Sequence, residues 1–286
     1  MQLADAEVTS REVLGWRGVH LFHARGSSCS QKVRIFLRLK GIPWESHEVD
    51  LKAEANCEPW YLGINPRGLV PCLVHDGVVH IESNDIVEYL EVCYPDPPLI
   101  PADSRQSVHQ MLGMENDLHM DLRALTFRYV IPTSPGAMRS SRALDNLRKT
   151  DGTVGGQSDT QRAKEVSFWD AANDTGITDA QVAESTARFK DAFEELDETL
   201  GRSEFILGDS LTILDIAWYV YATRLNAAGY PLHRLHTSVG AWFDKLDKRP
   251  EFRDEVEMPA ALREAGARLQ QAQRDAGRSL SQLGGL

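Results

Sequence analysis

Ser27, Ser28, Cys29 and Ser30 put three hydroxyls and a thiol in four consecutive positions, just ahead of an apolar pattern at helical spacing. Val33, Phe36, Leu37 and Lys40 carry that pattern, and Gly41 with Pro43 ends it. Ser27 or Ser28 therefore reads as an N-cap, and the first turn aims its unpaired N–H groups at the hydroxyls and the thiol. A helix end of this kind stabilises an anion. The anion is either the thiolate of Cys29, whose reference pKa of about 8.5 falls at helix N-termini, or a ligand thiolate held by a serine hydroxyl. The plainer reading of the same residues is a serine-capped helix with Cys29 as a small hydrophobe.

The elements that would position this turn are legible on both sides of it. Val19 to Phe22 suits a short strand, and Trp44 to Leu51, with His47, Val49 and Leu51 on one side, suits a second. A helix between them implies a parallel strand pair. Asn65-Pro66-Arg67-Gly68 is a turn by composition, and Leu69 to Ile81 reads as two strands about an Asp76-Gly77 hairpin. Pro71 lacks a ladder donor, so it belongs at the strand start, in the kind of tight turn where cis proline occurs. Ser83 then caps a helix carrying Ile86, Leu90 and Cys93.

Four prolines between Tyr94 and Pro101 make a stiff connector, and beyond it the strand patterns give way to helical ones. Val108, Met111, Leu112, Glu115, Leu118, Leu122 and Leu125 fit one long helix. The stretch 131–176, broken by prolines and glycines, has the character of an insertion. Helical patterning resumes from Val182 to Leu200. Thr212-x-x-Asp215, with Leu211 and Ile216 as a hydrophobic staple, opens a further helix, and capping alone makes either residue worth about 0.5–2 kcal/mol.

Composition bounds what such a chain does. The 286 residues are 42% hydrophobic and 26% charged, enough for a real core in one or two domains. Forty-two acidic against thirty-one basic residues disfavour nucleic acid and anionic membranes as partners. Cys29, Cys57, Cys72 and Cys93 form no C-x-x-C pair and no zinc spacing; no metal site is expected, and four free thiols fit a cytoplasmic setting. His20, His23, His47, His75 and His80 are read as surface or packing residues. No apolar run reaches the roughly 20 residues of a membrane span, and Met1 to Arg17, without an apolar core, reads as a surface extension rather than a signal peptide.

The Ser-Ser-Cys turn followed by Lys-Val-Arg-Ile and Leu-Lys-Gly-Ile, the Asn-Pro-Arg-Gly-Leu-Val-Pro loop, the Glu82-Ser83 pair and the Arg249-Pro250 stop resemble the cytosolic glutathione S-transferase superfamily. The likeness is to zeta-class, maleylacetoacetate isomerase-like members, and the Ser27-x-Cys29 spacing is similar to that of tetrachlorohydroquinone reductive dehalogenases. It runs from about Val19 to Phe252. The resemblance implies an α/β thioredoxin-like N-terminal domain followed by an all-α C-terminal domain. In that layout residues 1–17 are an extension, 18–95 the glutathione-binding domain and 96–102 a linker. Residues 103–275 are then the helical domain with the insertion 131–176, and 276–286 a flexible tail.

The same resemblance implies a homodimeric enzyme that uses glutathione against a small hydrophobic, aromatic electrophile. Ser28, Cys29 and Ser27 would be the catalytic candidates. Val70, freed by a cis Pro71, would pair with the glutathione cysteine, and Glu82 and Ser83 would hold the γ-glutamyl end. Met114, Leu118, Asp121 and Trp218 would line the electrophile pocket, although each also suits plain core packing. Leu69 stands where many zeta-class relatives carry glutamine. The alternatives are covalent work by Cys29 in reductive dehalogenation, isomerisation or ether cleavage, and a fold retained for binding or assembly without turnover.

Overall fold

The computed structural model describes residues 1–133, 136, 138–149 and 153–286. In chain order the first elements are β1 (Val19–His23), α1 (Ser28–Lys40), β2 (Glu45–Glu48), α2 (Pro59–Leu62), β3 (Cys72–His75), β4 (Val78–Ile81) and α3 (Ser83–Cys93). Then come α4 (Arg105–Asp117), α5 (His119–Tyr129), α6 (Ser141–Lys149), β5 (Thr153–Val154), β6 (Gln157–Ser158), α7 (Thr160–Thr175) and α8 (Asp179–Leu200). The rest is helical: α9 (Ile213–Ala227), α10 (Leu232–Leu235), α11 (Thr237–Asp247), α12 (Pro250–Val256), α13 (Ala260–Asp275) and α14 (Leu280–Gly284). The chain divides into two compact units, Met1–Pro95 with Ser134–Gly176, and Asp96–Thr133 with Ile177–Leu286.

The first unit is built on a four-stranded sheet ordered β2-β1-β3-β4. β1 and β2 run parallel, as the α1 crossover requires, while β1/β3 and β3/β4 are antiparallel. The β3–β4 turn uses Asp76 (φ 50°) and Gly77 (φ 83°), the two positive dihedrals of a tight hairpin. A Cβ on Gly77 would also collide with the Leu14 carbonyl, so glycine is required there twice over. Val33, Ile35, Phe36 and Leu37 of α1 are fully buried, and Gly41 (φ 65°) closes that helix in the left-handed conformation.

Two expectations for this unit are corrected. Residues 1–17 are not a loose surface extension: Leu3, Val8 and Val13 join the core with Phe22, Cys72, Val74 and Ile81. The Leu3 N–H donates to the Val79 carbonyl at 2.9 Å, so the segment covers the exposed edge of β4. The stretch 131–176, assigned to the helical part, instead has residues 134–176 grouped with the sheet. The reason is apolar packing that composition alone does not reveal. Ala143 and Leu147 of α6 bury against Cys57 and Leu62, and Val154 of the β5–β6 hairpin enters the core beside Leu3 and Val8.

The second unit consists of helices. The expected long helix from 108 to 125 is two, α4 and α5, interrupted at Leu118 (φ −91°, ψ 0°). Asn116 and Asp117, which compete for backbone hydrogen bonds and are weak helix formers, immediately precede the break. α9 is its centre, with Ile213 to Ala222 buried on every side. Asp215, fully buried, accepts hydrogen bonds from the N–H groups of Ile206 and Thr212, the Thr212 hydroxyl and the Trp242 indole, at 2.9–3.0 Å. Residues 276–286 are not frayed: α14 starts at a Ser279–Gln282 capping box and buries Leu280. No helix among the described residues is long and apolar enough to cross a membrane.

Candidate active site

Strand β1 ends at His23, and the chain turns through Ala24 to Ser27 into α1. Ser27 is the N-cap, its hydroxyl oxygen accepting from the Ser30 N–H at 3.2 Å. The same hydroxyl lies 3.5 Å from the Val70 carbonyl oxygen, which joins this turn to the residue before Pro71. Ser28 and Cys29 occupy the first two helical positions, both half-buried. Beneath them the turn is rigid: buried Arg34 donates to the carbonyls of Ala24 (3.1 Å) and Arg25 (3.2 Å). Burial and the Arg34 charge push the neighbouring His23 imidazole down to about 4, leaving a neutral ring bonded to the Ser46 hydroxyl.

The second wall is the loop from Asn65 to Pro71. The Val70–Pro71 bond is cis. The Leu69 carbonyl accepts from the Tyr61 hydroxyl at 2.6 Å and the Asn65 amide at 2.8 Å, and the Gly68 carbonyl accepts from Asn56 at 2.6 Å. These bonds hold the loop by its backbone, so the side chain of Leu69 is not needed for its shape.

The third wall is the start of α3. Ser83 is its first helical residue rather than its cap; Glu82 occupies the cap position with φ 67°. That conformation is costly for a side chain larger than glycine. Lys32, buried in α1, donates to the Asn84 side-chain oxygen at 2.6 Å and so ties α1 to the first turn of α3.

Two residues that were not among the expected site residues complete this constellation. Arg67, buried in the turn before Pro71, grips Asp159 through both carboxylate oxygens (2.8 and 2.9 Å) and also reaches Glu82. Burial on its own would raise the Asp159 carboxyl, yet the Arg67 guanidinium and the N–H groups of Gln161 and Arg162 hold it below the usual range. Composition marked Arg67 only as part of a turn, and Asp159 is 92 residues away. The visible signal was local: Asp159 is also the N-cap of α7, accepting from the Gln161 N–H.

Sequence-expected residues Ser27, Ser28, Cys29, Val70, Pro71, Glu82 and Ser83 thus all lie in the first unit, on three walls connected by direct contacts. The pocket candidates lie in the second unit and share no single arrangement. Met114 is 57% exposed on α4, and Leu118 sits at the helix break. Asp121 is engaged by the Ser185 hydroxyl at 2.7 Å and by Arg188, and Trp218 is buried against Phe193 and Tyr221.

Comparison with known proteins agrees with this geometry. Residues 26–93 match the family described as glutathione S-transferase, N-terminal domain, and residues 179–254 match glutathione S-transferase, C-terminal domain. The chain is 46% identical over 77 residues to glutathione S-transferase 1 of Dianthus caryophyllus (27% of this chain, 35% of that one). It is 36% identical over 131 residues to a probable maleylacetoacetate isomerase of Caenorhabditis elegans (46% of this chain, 54% of that one). These alignments cover from about a third to just over half of those relatives. Among solved structures, the β-etherase LigF of Sphingobium sp. strain SYK-6 superposes with a TM-score of 0.67 at 23% identity, over 83% of this chain and 98% of that one. That likeness is one of fold.

Proposed function

Starting from a chain that belongs to the glutathione S-transferase superfamily, close to its zeta class, we propose that it binds glutathione in the first unit and activates its thiol for attack on a small hydrophobic, aromatic electrophile. The observation that carries this reading is the junction of the three walls: Ser27 against Val70, Lys32 against Asn84, and Arg67 against Glu82. A tripeptide thiol needs its cysteine backbone fixed, its γ-glutamyl carboxylate neutralised and its sulfur placed at a stabilising helix end. Val70 offers main-chain groups for the first, and the first-turn N–H groups at Ser83 and Asn84 offer the second. The N-terminus of α1 lies beside Ser28 and Cys29 for the third.

Charge supports the γ-glutamyl assignment. Arg67 faces two carboxylates, so the trio carries one surplus negative charge beside the N-terminus of α3. A γ-glutamyl group presents an α-ammonium next to an α-carboxylate, which suits an acidic partner beside a helix N-terminus. Because Ser27 is committed to capping, Ser28 is the hydroxyl we assign to hold the glutathione thiolate, lowering its pKa by stabilising the charged form. Assembly as a homodimer is proposed on family likeness alone.

A second reading gives Cys29 the covalent role, in dehalogenation, isomerisation or ether cleavage. Its half-buried place in the first turn of α1 favours it, and the proteins that the chain is similar to include a probable maleylacetoacetate isomerase and a β-etherase. The experiment is an ultraviolet titration of glutathione across pH 5 to 9 with the wild type, Ser28→Ala and Cys29→Ala. A saturable thiolate band lost only in Ser28→Ala supports the serine reading. A thiolate present without glutathione and lost only in Cys29→Ala transfers the role to the cysteine. Absence of binding in every protein rejects both.

A further inference from the structure

The parallel register of β1 and β2 sets His20 opposite Glu45 and Phe22 opposite His47. Alternate residues of a strand share a face, so His20, Glu45 and His47 project together although no metal-binding spacing exists in the sequence. The Nδ1 of His20 lies 3.1 Å from the Nε2 of His47 and 3.4 Å from a Glu45 carboxylate oxygen, and the three donor atoms all fall within 4.8 Å of one another. Bonds of about 2.0–2.1 Å to a tetrahedral ion separate its donors by about 3.3 Å. Two of the three edges already have that length, and Glu45, 72% exposed, has the freedom to close the third.

The imidazoles are also oriented as a metal site requires. The Nε2–H of His20 donates to the Arg17 carbonyl at 2.8 Å, which leaves the lone pair on Nδ1, facing His47. His47 is stacked on both Trp16 (4.8 Å between centroids) and Phe22 (4.8 Å), which fixes the plane of its ring. Without an ion, His47 Nε2–H donates to His20 Nδ1. With one, His47 carries its proton on Nδ1 instead, so both rings bind as neutral ligands.

We propose that His20, His47 and Glu45 form a binding site for one divalent transition-metal ion, with the remaining coordination position open to solvent. Two imidazoles and one carboxylate suit Zn²⁺, Co²⁺ or Ni²⁺, whereas Mg²⁺ and Ca²⁺ take oxygen ligands. β2 is the edge strand of the sheet and largely exposed, and the ion would staple it to β1, the strand that leads into the Ser27–Cys29 turn.

The test is a Co²⁺ titration of the whole chain followed by visible absorption, with the unfolding midpoint measured alongside, for the wild type, His47→Gln and Glu45→Gln. One equivalent bound through nitrogen and oxygen donors, a raised midpoint, and affinity weakened at least about tenfold in each variant is the expected result. Glu45→Gln changes an exposed side chain and keeps the test decisive should His47→Gln fold poorly. No saturable uptake, unchanged affinity in a folded variant, or a thiolate-to-cobalt charge-transfer band, which would place the ion on cysteine, overturns the proposal.

Discussion

Arg67 and Asp159 form a two-pronged ion pair between a turn of the sheet unit and the first residue before α7, and the same guanidinium extends to Glu82. Both side chains of the pair are at least nine-tenths buried, so the interaction fixes Arg67 rather than decorating a surface. Asp159→Asn keeps the shape but removes the charge. It is expected to cost about 1.5–3 kcal/mol in denaturant melts, the range for hydrogen bonds to charged groups. By loosening Arg67 and Glu82 it should also raise the glutathione Kd about tenfold, a 1.4 kcal/mol effect. Unchanged glutathione affinity in calorimetry would show that Arg67 does not position Glu82.

Thiol reactivity should split the four cysteines in two. Cys72 is fully buried and its thiol is pushed far up by desolvation; Cys57 is 1% exposed and raised by the same cause, offset in part by Arg139. Cys93 is exposed and Cys29 half-buried at a helix N-terminus. Iodoacetamide labelling of the native protein at pH 7.5, read by mass spectrometry, is expected to modify Cys29 and Cys93 and to spare Cys57 and Cys72. Glutathione should slow labelling at Cys29 alone. Equal protection of Cys93 would contradict the site assignment.

Asp215 is more than a helix cap. Asp215→Ala strands the N–H groups of Ile206 and Thr212 and the Trp242 indole in a buried setting, each worth about 1–3 kcal/mol when unpaired. A loss of at least about 3 kcal/mol is expected, against about 0.5–2 kcal/mol for Thr212→Ala. Urea melts of the two variants measure the ratio, and equal losses would reduce Asp215 to its capping role.

Stability should weaken on mild acidification through His80. This buried imidazole on β4 stacks on Tyr89, and desolvation, then the N-terminal ammonium and His75, push it down to about 4. Its ordinary value is about 6.5, so between pH 6.5 and 4 the unfolded chain binds a proton that the folded chain refuses. The contribution of His80 is therefore present above pH 6.5 and lost as pH falls toward 4. His80→Phe, which retains an aromatic ring against Tyr89, should flatten the slope of unfolding free energy with pH over that window. An unaltered slope would refute this origin.

Local chemistry was legible in the sequence wherever neighbouring residues settle the conformation. Ser27 as a cap, Gly41 as a stop, the Asp76-Gly77 turn and the cis bond at Pro71 each depend on a handful of adjacent positions. The helix break at Leu118 and the promotion of Glu82 over Ser83 to the cap turn on a single residue's dihedrals, which side-chain periodicity does not report. What stayed hidden depends on distance along the chain. The charge partner of Arg67, the burial of Val154 and Leu3 in one core, and the meeting of His20 with His47 arise only once strands have a register and segments a docking face.

The discontinuity of the sheet unit also bears on how the protein is made. When synthesis has reached residue 95 the whole four-stranded sheet is present, yet neither the Val154 side chain that fills its core nor the buried Asp159 carboxylate that grips Arg67 has been synthesised. At about 5–20 residues per second, the ribosome needs several more seconds to reach residue 176. During that interval it also extrudes α4 and α5, which belong to the other unit. Vectorial folding therefore cannot finish the first unit before the second has begun. An expression fragment of the sheet unit should splice 1–95 to 134–176 rather than stop at the prolines.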